Sequence, residues 1–337
     1  MKDDKINGTL TEYATYIRRF ANPKIFESDQ ILYKKSQAFR IPLISHRVWL
    51  TDINSPSEIK DKLSRGILND IGSSYQVLDD GARQEGYKWI HYLWVQNKHI
   101  IPDTITLFQN HGVIVRELQE LKYFHDEKFQ RQYNYYIQDN QAIVAASDLI
   151  RIVAVLEIGG IYFDNDLIIW KWNYDIHHYF DFFGQYFNML RTLKGISNSI
   201  FGAKPGHILL RKQLHYMVSQ FKTHEKGVEE RPLYQNLCSY RTAASTFHGT
   251  GPTIFTAVSF NYLNMEGNQD VLIMGGGERN NKVYINTIDN QGTQGKLMIN
   301  VEMLDRITNL WRDEIKDGSV FGFLELNDLN EAFSLTE

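Results

Sequence analysis

A chain of 337 residues, 43% hydrophobic and 23% charged, is long enough to bury a large core and ordinary enough in composition to be globular. Its net charge of −4 offers no basic surface for nucleic acid, and its one cysteine, Cys238, excludes an internal disulfide or a zinc cluster. No apolar run approaches a membrane span and no apolar h-region follows Met1 to Lys5, so we expect a protein without a cleavable signal that works in a reducing cytosol.

In chain order, Thr9 and Glu12 form a capping box that opens a short helix, with Leu10, Tyr13, Ile17 and Phe20 on one face, closed before Pro23. Residues 1–40 read as an N-terminal helical segment carrying Arg18, Arg19, Lys24, Lys34 and Lys35. Residues 41–337 read as the main domain, with helical additions toward the C-terminus. Pro42 to Trp49 is the first core strand. Ser55 as N-cap, Pro56 at N1 and Glu58 at N3 start a helix.

A strand at Tyr87–Val95, a helix from Pro102 and a strand at Val113–Val115 continue an alternation that argues for βαβ units and a mostly parallel α/β sheet. A long helix spans about Gln138 to Ile158 and leads into the strand of Tyr162. Beyond it come Trp170 and Trp172, a strand near Phe182–Phe187, a helix from Pro205 to about Phe221, and a charged loop at 222–231. Gly249 to Pro252 is a loop entering another helix. A glycine turn at Gly275–Gly277 and a helix over Val301–Lys316 complete the reading.

Chemistry concentrates between Ala145 and Asp166. Asp148 and Arg151 share a helix face at i, i+3, while Leu149, Ile152, Val153 and Leu156 supply packing. Gly159 and Gly160 end the helix where left-handed backbone is needed. The next strand ends in Asp164 and Asp166, whose side chains, two apart on extended backbone, should point the same way. Two hard carboxylates held together suit Mg²⁺ or Mn²⁺, cations that go on to bind phosphates. A metal, an acid and a guanidinium gathered in this way suit a sugar nucleotide.

Ala146-Ser147-Asp148, Arg151, Gly159-Gly160, Tyr162, Asp164 and Asp166 together resemble the core of GT-A glycosyltransferases with a DXD sugar-binding motif. The nearest look-alikes are the catalytic domains of large clostridial glucosylating toxins and bacterial effector glycosyltransferases. The resemblance is dense over Ala145–Asp166 and extends over roughly residues 41 to 255. It implies a GT-A (Rossmann-like) fold, a UDP-sugar donor and a divalent cation. It implies that Asp166 ligates the metal directly and that Asp164 shares it through water while touching ribose. Asp148 and Arg151 would bind the donor sugar's hydroxyls, with Arg151 also near phosphate and Tyr162 on phosphate or sugar. Trp49 would stack on uracil, Ile143, Ser147 and Asn165 would touch the nucleotide, and Asn198 would lie near the sugar. Gly251, Pro252 and Thr253 resemble an element flanking the acceptor, or simply start a helix. Retention of the donor's α configuration is also implied.

One departure from the pattern is the lack of a C-terminal Ser-x-Trp or Ser-Trp, the element that supplies a metal ligand and a lid in those enzymes; Asn286, Asp289 and His248 are left as candidates. A haloacid-dehalogenase-type phosphatase also uses Asp-x-Asp, but Ile168 stands where it expects Thr or Val. An inactive sugar-nucleotide-binding scaffold is the other alternative. The resemblance favours transfer of glucose or N-acetylglucosamine to a host protein's hydroxyl, with surface polysaccharide or glycolipid synthesis as the alternative acceptor class. It also allows weak membrane contact through the N-terminal segment, and export from a bacterium to a host cytosol.

Overall fold

The computed structural model describes residues 31–139, 142–188, 194–220, 249–274 and 280–306. The helix expected from Thr9, the loop at 222–231, Cys238, His248 and Gly275–Gly277 lie outside the described residues. The strands are β1 (Leu32–Lys34), β2 (Ile44–Trp49), β3 (Ile90–Val95), β4 (Ile114–Glu117), β5 (Gly160–Phe163), β6 (Leu167–Lys171), β7 (Phe182–Asn188), β8 (Lys194–Ala203), β9 (Asp270–Met274), β10 (Asn280–Ile288) and β11 (Gln294–Asp305). The α-helices are α1 (Ile59–Lys62), α2 (Arg65–Gln84), α3 (Pro102–Gln109), α4 (Glu127–Asn134), α5 (Ile143–Ile158), α6 (Asp175–Tyr179), α7 (Ile208–Gln220) and α8 (Pro252–Tyr262).

Seven strands form the central sheet in the order β4-β3-β2-β5-β8-β7-β9. The β2–β3, β3–β4, β2–β5 and β7–β9 pairings are parallel, and β8 runs antiparallel between β5 and β7. This is the mostly parallel α/β sheet expected from the sequence. The chain moves outward from β2 to β3 and β4, then crosses back to place β5 on the other side of β2. The carboxyl ends of β2 and β5 therefore flank a topological switch point, where open α/β sheets form their ligand crevice.

Strand alternation divides the core. Tyr162 of β5 faces a cluster with Leu149, Val153, Leu210 and Phe255, while Ile161 and Phe163 face one with Leu78, Ile169 and Val301. Helix α5 is buried almost all round, so it reads as apolar on every side except where Asp148 and Arg151 stand. On the opposite face, Ile71, Tyr75, Leu78 and Ala82 give α2 its buried stripe.

Several expectations are corrected. The helix after Pro56 begins later: Glu58 is the N-cap of the single-turn α1, and its carboxylate also accepts hydrogen bonds from the Asp103 and Thr104 amides that open α3. Glu58 thus satisfies two helix starts, which a reading of one helix at a time misses. The helix expected from Gln138 starts at Ile143, after a π-turn over Tyr135–Asp139. Val301–Asp305 is strand, not helix, because it completes a second sheet of order β1-β10-β11-β6. Within residues 31–40 the expected helical segment is strand β1, pairing parallel with β10 and burying Tyr33 to 1% exposure. No helix among the described residues is long and apolar enough to cross a membrane.

Candidate functional site

Gly159 and Gly160 take φ of 74° and 105°, and a Cβ on Gly160 would lie 2.3 Å from the Ile44 carbonyl oxygen. Only glycine allows α5 to turn directly into a strand pressed against β2. His46 fixes this corner from below: Nε2 donates to the Gly159 carbonyl and Nδ1 accepts from the Trp94 indole. Burial lowers its pKa to about 4, so the imidazole is neutral.

Asp164 and Asp166 do not sit on the strand. β5 ends at Phe163, and the Leu167 amide donates to the Asp164 carbonyl at 3.2 Å, closing a turn over Asp164, Asn165, Asp166 and Leu167. The acids are the first and third residues of that turn. The alternation expected from a strand is replaced by turn geometry because β6 must reverse immediately into the second sheet.

The structure brings five expected residues into one network. Arg151 contacts Asp164 Oδ1 at 3.1 Å, Asp148 Oδ1 at 3.2 Å and the Asn198 carbonyl at 2.8 Å. Its guanidinium also lies over the Tyr162 ring at 4.6 Å. The Asn198 amide donates to Asp148 Oδ1 at 2.9 Å. Tyr162 is 1% exposed and donates its hydroxyl to Asp164, so the turn's first acid is held from two sides. Arg151 Nε remains without a hydrogen-bond partner, as does Asn165 Oδ1.

Electrostatics follow from this crowding. Loss of water pushes the Asp164 carboxyl up to about 7, with Arg151 opposing and Asp166 and Asp305 adding repulsion. Burial also raises Asp148, against the pull of Arg151, Thr250 and Asn198. Burial works against the Arg151 charge, yet Asp164 foremost, then Tyr162, Asp148 and Asp166, more than offset it and raise its pKa.

Ile143 and Ser147 lie half-buried one turn apart on α5. Trp49, at the end of β2, is half-buried against Ile59, Tyr75 and their neighbours, and its indole donates to the Ser57 carbonyl at 3.1 Å. Pro252 is the first residue of α8, and Thr253 is 2% exposed behind it.

Four contributors escaped the sequence reading. Thr250 donates to Asp148 Oδ2 at 2.8 Å; a hydroxyl residue between two glycines was its only signal. Ser199 accepts the Asp164 amide at 2.8 Å, from a stretch of β8 where the pairing with β7 jumps from Phe201 to Ser197. The polar run Ser197-Asn198-Ser199 inside an apolar strand marks this bulge, which turns Asn198 toward Asp148. Arg47 is 1% exposed and binds the carbonyls of Asp164 and Leu167. Asp305 reaches the acids because β11 ends beside β6, and the Arg306 amide donates to the Asp166 carbonyl at 3.1 Å. Asn286 and Asp289 belong elsewhere. They precede the far end of β11, roughly 30 Å from Asp305 at about 3.3 Å per residue. The Asp289 carboxylate caps the amides of Gln291 and Thr293 in its own turn.

Residues 59–208 match the profile of the TcdA/TcdB catalytic glycosyltransferase domain. No curated protein matches the chain in sequence. Among solved structures it is similar to the PaToxG glycosyltransferase, at 15% identity over 74% of this chain and 78% of that one, with a TM-score of 0.47. It is also similar to the UDP-bound glycosyltransferase domain of the YGT toxin, at 12% identity over 70% of this chain and 80% of that one, with a TM-score of 0.44. The match over residues 59–208 supports the enzyme class expected from the sequence, a UDP-sugar glycosyltransferase, and sets aside the phosphatase reading.

Proposed function

We propose that this toxin-type enzyme moves a hexose, glucose or N-acetylglucosamine, from a UDP-sugar to a protein hydroxyl in a host cell, with retention and with help from a divalent cation. The observation that carries this reading is the meeting of Asp148, Arg151, Asn198 and Asp164 at the crevice between β2 and β5. Every polar group there suits a sugar hydroxyl, a ribose or a phosphate.

The donor set fits Mn²⁺ or Mg²⁺: Asp164, Asp166 and Asp305 lie near enough for their charges to repel, and carboxylate oxygens suit a hard cation. Among the described residues no three His, Cys, Asp or Glu side chains gather tightly enough to enclose an ion. Asp166 would therefore ligate directly, with Asp164 and Asp305 acting through water, as suits a cation that keeps part of its hydration shell. When bound, the cation offsets charge on the departing diphosphate.

The chain's own residues do the rest. Trp49 offers a ring face to uracil, and Ile143, Ser147 and Asn165 border the nucleoside. Asp148, oriented by Thr250 and Asn198, accepts hydrogen bonds from sugar hydroxyls. Arg151, pinned by Asp148 and Asp164, keeps its positive fork beside sugar and phosphate. Tyr162 and Arg47 orient Asp164. With these acids committed, the acceptor's proton passes to the leaving diphosphate on the same face.

The test is transfer from labelled UDP-glucose or UDP-N-acetylglucosamine to host cytosolic protein, followed by NMR of the released glycopeptide. Label on protein through an α linkage is expected. A β linkage would refute retention, and label only in lipid or polysaccharide would refute a protein acceptor.

A further inference from the structure

Arg47 is a charged residue in the middle of the buried strand β2, and it is 1% exposed. Among the described residues no carboxylate pairs with it. Its guanidinium lies 5.4 Å from the Tyr75 ring centre and 5.9 Å from that of Phe163. Burying a guanidinium without a counter-ion is costly, and a methionine would fill the same space without that cost. What the charge does is specific: one nitrogen donates to the Asp164 carbonyl and the other to the Leu167 carbonyl, at 3.4 Å. Those are the first and fourth residues of the turn that carries both acids.

A second tie runs the other way. The Asn165 side chain, second in the turn, donates to the Val48 carbonyl at 2.8 Å. Arg47 and Val48 immediately precede Trp49. We infer that Arg47 is a positioning residue for the reaction: with Asn165 it locks the Asp164–Leu167 turn onto β2, so that the acidic turn and the Trp49 platform move as one body. The inference rests on the proposed role of that turn in holding a cation and nucleotide diphosphate. A planar fork with two outward N–H groups can bridge two carbonyls, whereas an ammonium reaches one of them well.

The experiment compares wild type with Arg47→Lys, Arg47→Met and Asn165→Ala by two readouts. The first is hydrogen exchange in the protein without ligand, followed over residues 160–170. The second is UDP binding, titrated with Mn²⁺ and repeated in chelator. In Arg47→Met we expect exchange at the Leu167 amide to rise by about ten-fold or more, with α2 and α5 still protected. Its Mn²⁺ half-saturation should rise by ~10–100-fold, as for lost outer partners of metal ligands. UDP affinity in chelator should stay within about three-fold of wild type, because the Trp49 ring remains. Arg47→Lys should fall between, and it carries both readouts if Arg47→Met does not fold; Asn165→Ala is read by hydrogen exchange alone, because its side chain also borders the nucleoside. Two results would overturn the inference: unchanged exchange and Mn²⁺ dependence, or exchange raised throughout α2 and β5, which would make Arg47 a packing residue. A wild type that binds no UDP with Mn²⁺ would instead overturn the proposed function, and the exchange readout would still decide the role of Arg47.

Discussion

Replacing Thr250 by Val removes one hydroxyl donor while keeping the branched shape. Thr250 and Asp148 are both 2% exposed, so no water can take over the 2.8 Å bond to Asp148 Oδ2. Asp148 would keep only Asn198 and Arg151 as partners. A hydrogen bond to a charged acceptor contributes ~1.5–3 kcal/mol, and a buried acceptor left open costs a similar amount, so a stability loss of about 2 kcal/mol is expected. The Asp148 pKa, already raised by burial, should rise further, and the carboxylate should swing from the position proposed to hold the sugar. If that 2 kcal/mol is felt in the transition state, turnover falls by roughly 30-fold. Urea unfolding gives the first number and UDP-sugar hydrolysis the second, with UDP affinity as the control. A stability loss below about 0.5 kcal/mol would refute the burial argument. An equal weakening of UDP itself would refute the assignment of Asp148 to the sugar.

Other consequences are equally direct. Trp49→Ala should weaken UDP binding by about ten-fold or more, since one base–aromatic stack contributes ~1–3 kcal/mol; unchanged affinity in a folded variant would assign the ring to packing. Gly160→Ala should cost about 3 kcal/mol or more, because the new Cβ meets the Ile44 carbonyl at 2.3 Å with φ at 105°. Gly206→Ala, also at positive φ but with nothing within 4 Å, should cost only ~1 kcal/mol; equal losses by urea unfolding would contradict the steric account. His177 accepts from the Trp172 indole and donates to the Ile41 carbonyl, and burial lowers its pKa to about 3. Below pH ~6.5 the unfolded chain takes a proton the folded chain refuses, so this site loses stability at ~1.4 kcal/mol per unit as pH falls toward 3. The stability advantage of wild type over His177→Asn should therefore shrink between pH 6.5 and 5, and a constant difference would contradict it.

How much of this was legible depended on whether a residue acts through local pattern or through distant partners. The helix, glycine corner and two acids between Ala145 and Asp166 are contiguous, and their order survives in the structure. Pro102 and Pro252 mark true helix starts because a fixed φ and a missing amide act locally. Val301–Asp305 reads either way because Val301, Met303 and Leu304 fit a helix face as well as a strand, and only pairing with β6 and β10 selects the strand. Nothing near Glu58 in sequence announces α3, whose start it caps across a gap of 45 residues to Asp103. Arg47, Thr250 and Asp305 reach the acids from three separate elements, so only tertiary structure unites them. Asn198 was found by its resemblance, while the bulge that turns it inward needed the register of β7 against β8.

The most direct test of the central claim measures UDP release from a panel of UDP-sugars by the purified chain with Mn²⁺, with chelator, and after Asp166→Asn. Release of UDP from UDP-glucose or UDP-N-acetylglucosamine should depend on Mn²⁺, stop in chelator and fall by ~10²–10³-fold in the variant. Release that persists undiminished in chelator, or is absent for every UDP-sugar, would contradict a cation-assisted glycosyltransferase built on the Asp164–Leu167 turn.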